Sequence, residues 1–150
     1  MTNYELLEKQ VTELLNTEPF YAASMSNISS LIMEALPDLN WAGFYIFRDG
    51  CLTVGPFQGK PACIHIEVGK GVCGTAFHED RTIVVEDVHT FPGHIACDSA
   101  SNSEIVIPIH SGGKPVAVLD IDSPSLNRFS EEDRLELEKV ASVTEKMIKW

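Results

Sequence analysis

Long apolar runs are missing from this sequence. No stretch approaches the ~18 residues that cross a bilayer, and no charged leader followed by an apolar core opens the chain. No membrane partner is therefore expected, and the expected compartment is the cytoplasm, where thiols stay reduced. Positive charge is also scarce. Eleven Lys and Arg stand against 22 Asp and Glu, for a net charge of −11. The summed field repels phosphate backbones and anionic headgroups, so nucleic acid is not an expected partner. Between positions 60 and 81, however, Lys60, Lys70 and Arg81 meet only Glu67, Glu79 and Asp80. That balance admits a small anionic or zwitterionic ligand.

Several chemical signatures are absent as well. The four cysteines, Cys51, Cys63, Cys73 and Cys97, never form a Cys-x-x-Cys pair, which argues against closed zinc sites and a thioredoxin-type motif. Cys63-x-His65 and His94-x-x-Cys97 raise the question of a metal, but four ligands at closed spacing are not visible. No metal and no cofactor are expected. Gly69-Lys-Gly-Val-Cys-Gly74 lacks the Lys-Ser/Thr of a phosphate-cradling loop, and no nucleophile elbow marks a hydrolase. No repeat, low-complexity tract or linker divides the 150 residues. One domain spanning 1–150 is expected. A chain of that length buries roughly 68–70% of its unfolded surface without staples.

What is present reads in order as an α+β chain. Tyr4, Leu7, Val11 and Leu14 recur at helical spacing over residues 3–15. A second helix is predicted from about Pro19 to Ala35, stopped by Pro37. Trp41 to Phe47 and Cys51 to Val54 form a hairpin across Asp49-Gly50. Ala62 to Val68, with Cys63 inside it, reads as a third strand; Val72 to His78 is a short helix, and Thr82 to Val85 a fourth strand. Residues 86–103 show no convincing period, and long loops in compact domains are usually functional. Glu104 to His110 and Lys114 to Asp122 make a second hairpin across Gly112-Gly113. Ser130 caps the last helix, with Asp133 at the capping-box position. This order implies a six-stranded antiparallel sheet with the long helices on one face.

Chemistry concentrates between Cys63 and Glu104 and at the end of the last strand. A nucleophilic cysteine needs a depressed pKa and access to solvent. Cys97, in the polar stretch His94-Ile-Ala-Cys97-Asp-Ser99, is best placed, the alternative being a small loop residue without a role. Cys63 alternates with Ile64 and Ile66, where a buried inert cysteine is common. Cys73 near a helix N-terminus is expected to gain from the helix dipole, and Cys51 is read as structural. Asp120 and Asp122 occupy alternate strand positions, so both project from one face about 6–7 Å apart. If Glu104 lies beside them, mutual repulsion should raise at least one pKa. The alternative is that Asp122 opens the following turn and Glu104 is an exposed strand entry.

The segments Asn40-Trp41-Ala42-Gly43-Phe44-Tyr45, Pro56 to Cys63, Gly69 to Ala76, Phe91 to Asp98, Ser103 to Pro108 and Leu119-Asp120-Ile-Asp122-Ser123 closely resemble the free methionine-R-sulfoxide reductases, which are single GAF-domain enzymes. The likeness spans nearly the whole chain; Cys51 lies outside it. It implies a GAF-like α+β fold, with active-site loops on the sheet face opposite the helices. It also implies reduction of free methionine R-sulfoxide to methionine with electrons from thioredoxin. By resemblance, Cys97 is the attacking thiolate that becomes a sulfenic acid, and Cys63 resolves it as a disulfide that thioredoxin reduces. Cys73 either relays the disulfide or exchanges roles with the other two. Glu104, Asp120 and Asp122 would bind and protonate the sulfoxide oxygen. Trp41 would wall the S-methyl group, with Tyr45 on the same strand face. GAF domains often pair through their terminal helices, so a homodimer is among the expectations. The rival is a GAF module that only binds a small ligand and signals. Such modules usually precede an output domain, and here the sequence ends at Trp150 just after its last helix.

Overall fold

Alternation decides which way the sheet faces. Ile105, Ile107 and Ile109 on one strand and Ala117, Leu119 and Ile121 on its neighbour are all buried in one cluster. The residues between them point to the opposite side, because successive strand side chains alternate. The computed structural model describes residues 1–95, 97 and 99–150. Its elements are α1 (Tyr4–Thr17), α2 (Tyr21–Ala35), β1 (Trp41–Arg48), β2 (Cys51–Gly59), β3 (His65–Glu67), α3 (Gly71–Glu79), β4 (Ile83–Val85), a 3-10 turn (Val88–Thr90), β5 (Ser103–Ser111), β6 (Lys114–Ser123) and α4 (Glu131–Met147). The six strands form one sheet in the order β3-β2-β1-β6-β5-β4, and every pairing is antiparallel. The α+β architecture expected from the sequence is the one observed.

Helices α1, α2 and α4 cover one face. Leu7, Val11 and Leu15 from α1, Met25, Ile28 and Ile32 from α2, and Leu137 and Val140 from α4 pack there against Phe44 and the β5 and β6 isoleucines. Asn3 caps α1 by accepting from the Leu6 amide at 3.0 Å. At the start of α4, Ser130 and Asp133 form the reciprocal capping box. Asp133 also accepts from the Tyr4 hydroxyl and from Arg128, which fastens α4 to α1. Together these donors hold its carboxyl below the usual range against the opposing effect of burial.

Three boundaries differ from expectation, each for a non-local reason. The second helix begins at Tyr21 rather than Pro19 because the Pro19 carbonyl accepts from the Lys149 amide, and the Lys149 carbonyl accepts from Tyr21. Strand β2 runs on to Gly59, past Gly55 and Pro56, because a bulge between the Gly43 and Tyr45 pairings absorbs them. The third strand is only His65–Glu67, so Cys63 is not in a strand as expected but in the segment before it. Side chains of β1 hold that segment off the ladder: the Trp41 indole donates to the Lys60 carbonyl at 3.1 Å, and the Tyr45 hydroxyl to the Cys63 carbonyl at 3.0 Å. No helix among the described residues is long and apolar enough to cross a membrane.

Candidate active site

The second face of the sheet carries its own apolar cluster, built from Tyr45, Leu52, Ile66, Val72, Val106 and Val118 among others. A cavity of about 550 Å³, its open mouth included, lies within it. Its floor is set by register. Glu104 on β5 pairs with Asp122 on β6, and Asp122 pairs in turn with Trp41 on β1, while Asp120 sits between Val106 and Gly43. Residues two apart on β6 and their cross-strand partners thus share one face, and all three carboxylates line the cavity. Glu104 is 8% exposed and Asp120 5%, so the reading of Glu104 as an exposed strand entry is set aside.

Aromatic rings form the wall. Trp41 stacks on Phe57 on one side and on Tyr45 on the other, with ring centroids 5.1 and 5.9 Å apart. Gly43 makes this possible: a Cβ there would lie 2.3 Å from Phe57 Cβ and 2.9 Å from the Trp41 ring. Over the floor sits α3, whose buried Cys73 approaches Glu104 Oε2 at 4.0 Å. The 86–103 loop contributes His94, Ile95, Cys97 and Ser101.

Cys63 and Cys97 are joined in a disulfide that spans 34 residues with a Cα–Cα distance of 5.4 Å. Cys97 lines the cavity, and the half-buried Cys63 reaches it from the segment held by Trp41 and Tyr45. The structure therefore brings the expected residues Trp41, Tyr45, Cys63, Cys73, Cys97, Glu104, Asp120 and Asp122 to one place. Two parts of the notable loop sequence, Ala96 and Asp98, lie outside the described residues.

Electrostatics follow from burying acids together. Burial, and then the negative charge of Asp120 and Asp122, pushes the Glu104 carboxyl well above its ordinary value. Asp120 is also raised by burial, although hydrogen bonds from Glu104, Cys73 and Asp122 pull the other way. The expected raised carboxyl is present. Cys73 departs from expectation: burial first, then Asp120 and Glu104, push its thiol well up, which overrides any lowering by the start of α3. Tyr45 is likewise raised by burial and then by Asp120, so its hydroxyl stays a donor. His94 is lowered by partial burial and by His89, which favours a neutral imidazole at the cavity wall.

Among the described residues the one cluster of metal-ligand type is Cys73, Glu104 and Asp120, whose ligating atoms lie within 4.8 Å of one another. Each of the three is shifted toward its protonated form. The arrangement suits a polar ligand atom that needs a proton or a hydrogen-bond donor.

Sequence reasoning passed over Ser101. Its hydroxyl accepts from the Asn40 side-chain amide at 3.0 Å, pinning the loop beside β1. The Asn40 and Asn102 amides donate to the carbonyls of Asp122 and Ser123. These contacts close the loop against the end of β6, and only the polar character of the stretch hinted at them.

Known proteins share this fold and much of this sequence. A GAF-domain family model matches residues 22–149. The free methionine-R-sulfoxide reductase of Escherichia coli is 47% identical over 145 residues, covering 97% of this chain and 88% of that protein. The reduced form of fRMsr of Staphylococcus aureus superposes with a TM-score of 0.96 at 50% identity, covering 99% of this chain and 97% of that one. The same protein in complex with its substrate gives a TM-score of 0.94 at the same coverage. The chain belongs to the GAF-domain family, in the branch of the free methionine-R-sulfoxide reductases.

Proposed function

We propose that this chain reduces free L-methionine (R)-S-oxide to L-methionine by thiol chemistry. The observation that supports this most directly is the Cys63–Cys97 disulfide at the edge of a cavity floored by Glu104, Asp120 and Asp122. In the dithiol form, the Cys97 thiolate attacks the sulfoxide sulfur. Glu104 and Asp120, both shifted toward the protonated form by burial, donate to the sulfoxide oxygen as it gains charge. The oxygen passes to Cys97 as a sulfenic acid and methionine leaves. Cys63 then attacks the sulfenic sulfur, water departs, and the disulfide forms.

In the substrate-binding part of this reading, Trp41 packs against the S-methyl group, and Tyr45 supports that ring and the Cys63 segment. Cys73 stays a thiol beside the acids and serves the site as a neutral donor or as a relay for the disulfide. Thioredoxin is the reductant, which places the enzyme in a reducing compartment such as the cytoplasm. Two copies would pair through the terminal helices, where Leu6 on α1 and Leu135 on α4 are about half exposed. A module that only senses a ligand would have no use for a disulfide at the cavity wall.

A thioredoxin-coupled assay of both sulfoxide epimers, free and peptide-bound, tests the function. Turnover of the free R epimer alone is expected. Failure to turn over that epimer overturns the assignment.

A further inference from the structure

The two segments joined by the disulfide each present an isoleucine to solvent. Ile64 adjoins Cys63 and is 62% exposed; Ile95 precedes Cys97 by two residues and is 39% exposed. Apart from Met1, Ile64 is the most exposed large apolar side chain among the described residues. Single exposed apolar residues are ordinary. Here the two lie on either side of one disulfide whose Cα atoms are 5.4 Å apart. Ile95 rests against the start of α3, where a Cβ on Gly71 would come within 3.2 Å of it. Lys60 lies three residues before Cys63, and Lys70 caps the start of α3 against which Ile95 rests; both are exposed, in a molecule whose net charge is −11. Each of the two isoleucines thus has an exposed lysine close by, Lys60 four residues before Ile64 and Lys70 beside the Gly71 that Ile95 touches.

We infer that Ile64 and Ile95 form the seat on which a dithiol protein reductant docks to reach the Cys63–Cys97 disulfide. The inference rests on the reductase reading above. Its occupant is a protein with an apolar surface around its nucleophilic thiol and acidic residues at the rim, matching the isoleucines and Lys60 and Lys70. Cys97 lines the substrate cavity and Cys63 does not, so the Cys63 sulfur is the one attacked. The partner's thiolate bonds to Cys63, the Cys63–Cys97 bond breaks, and Cys97 leaves as a thiolate. The partner's second thiolate then attacks the mixed disulfide and frees Cys63; the partner departs oxidised, and its two protons end on the two released cysteines. A small dithiol needs no such seat, whereas a protein must bury surface to hold its thiol in line.

The test compares the wild-type protein and Ile64→Asp, with free methionine R-sulfoxide as substrate and either thioredoxin or dithiothreitol as reductant. Ile64 does not line the cavity. KM for thioredoxin is expected to rise about tenfold or more in the variant, while dithiothreitol-driven turnover is unchanged. Ile64→Leu should restore the wild-type value. A thioredoxin lacking its second cysteine should be trapped on Cys63. An unchanged KM for thioredoxin, an equal loss with both reductants, or trapping on Cys97 overturns the proposal. So does dissociation of a wild-type dimer by Ile64→Asp, which would assign the surface to a second copy. Absence of dithiothreitol-driven turnover in the wild-type protein would instead refute the reductase reading itself.

Discussion

The two faces of the sheet are made from the same strands and obey opposite rules. On the helix face, β5 and β6 contribute Ile105, Ile107, Leu119 and Ile121, each no more than 4% exposed and part of one apolar cluster. On the other face, their neighbours in sequence are Glu104, Asp120 and Asp122, acids within an otherwise apolar cluster. One face stabilises the fold by burial. The other accepts a destabilising collection of buried acids, and such a collection is retained where protonated carboxyls have chemistry to perform. A shift of one residue in strand register would exchange the two sets, so the fold that buries the isoleucines also aims the acids.

Substitutions on the two faces should separate these roles. The largest effect is expected from Cys97→Ser, which should abolish turnover of free methionine R-sulfoxide while leaving the melting temperature of the reduced protein near wild type. Persisting wild-type turnover with thioredoxin would remove Cys97 from the mechanism. Next, Asp120→Asn should slow the chemical step by about 10²-fold or more, with stability at neutral pH equal to or above wild type. Retained activity with lost stability would make the acid structural.

The same face has a pH signature. Glu104 and Asp120 have folded-state pKa values above their unfolded ones. Their contribution to stability is therefore fully present below the ordinary carboxylate range, about pH 4, and is lost as pH rises through the raised folded values. Denaturant unfolding of wild type and of the double variant Glu104→Gln/Asp120→Asn from about pH 4 to 7.5 isolates this contribution, and the double variant should gain relative stability as pH increases. Asp133, held low in both proteins, loses its contribution as pH falls and cancels from the difference.

On the helix face the smaller functional effect belongs to Leu119→Ala. It should cost about 3 kcal/mol in unfolding free energy and leave kcat per folded molecule unchanged at low temperature. A matching loss of kcat would show that the two faces are more tightly coupled than their packing suggests.

Much of this division was legible in the sequence because it is local. The alternation along β5 and β6, the Asp49-Gly50 and Gly112-Gly113 turns with their positive φ values, and the Ser130–Asp133 capping box are read within a few residues. Asp120 and Asp122 declare their shared face by spacing alone. What was not legible came from contacts distant in sequence. Cys63 leaves its expected strand because Tyr45, 18 residues earlier, takes its carbonyl. Cys73 sits at a helix start that favours a thiolate, yet acids from β5 and β6 and its own burial decide the opposite. Residue spacing did not pair Cys63 with Cys97; the resemblance implied that pairing, and the fold places the two within bonding distance.

The hydrogen bonds from Trp41 and Tyr45 make the redox couple mechanically lopsided. Two buried rings on β1 bolt down the backbone at Lys60 and Cys63, whereas the Cys97 amide bonds to Ile95 inside its own loop. Cutting the sulfur bridge should therefore release one leaf of a hinge and leave the other fixed. Hydrogen exchange should quicken on reduction at the Cys97 amide while the Trp41 indole proton, held by the Lys60 carbonyl, stays slow; equal quickening at both would show that the rings clamp nothing. Trp41 and Tyr45 would then do for the catalytic cycle what a fixed jaw does for a vice, letting one segment travel while the other keeps the register.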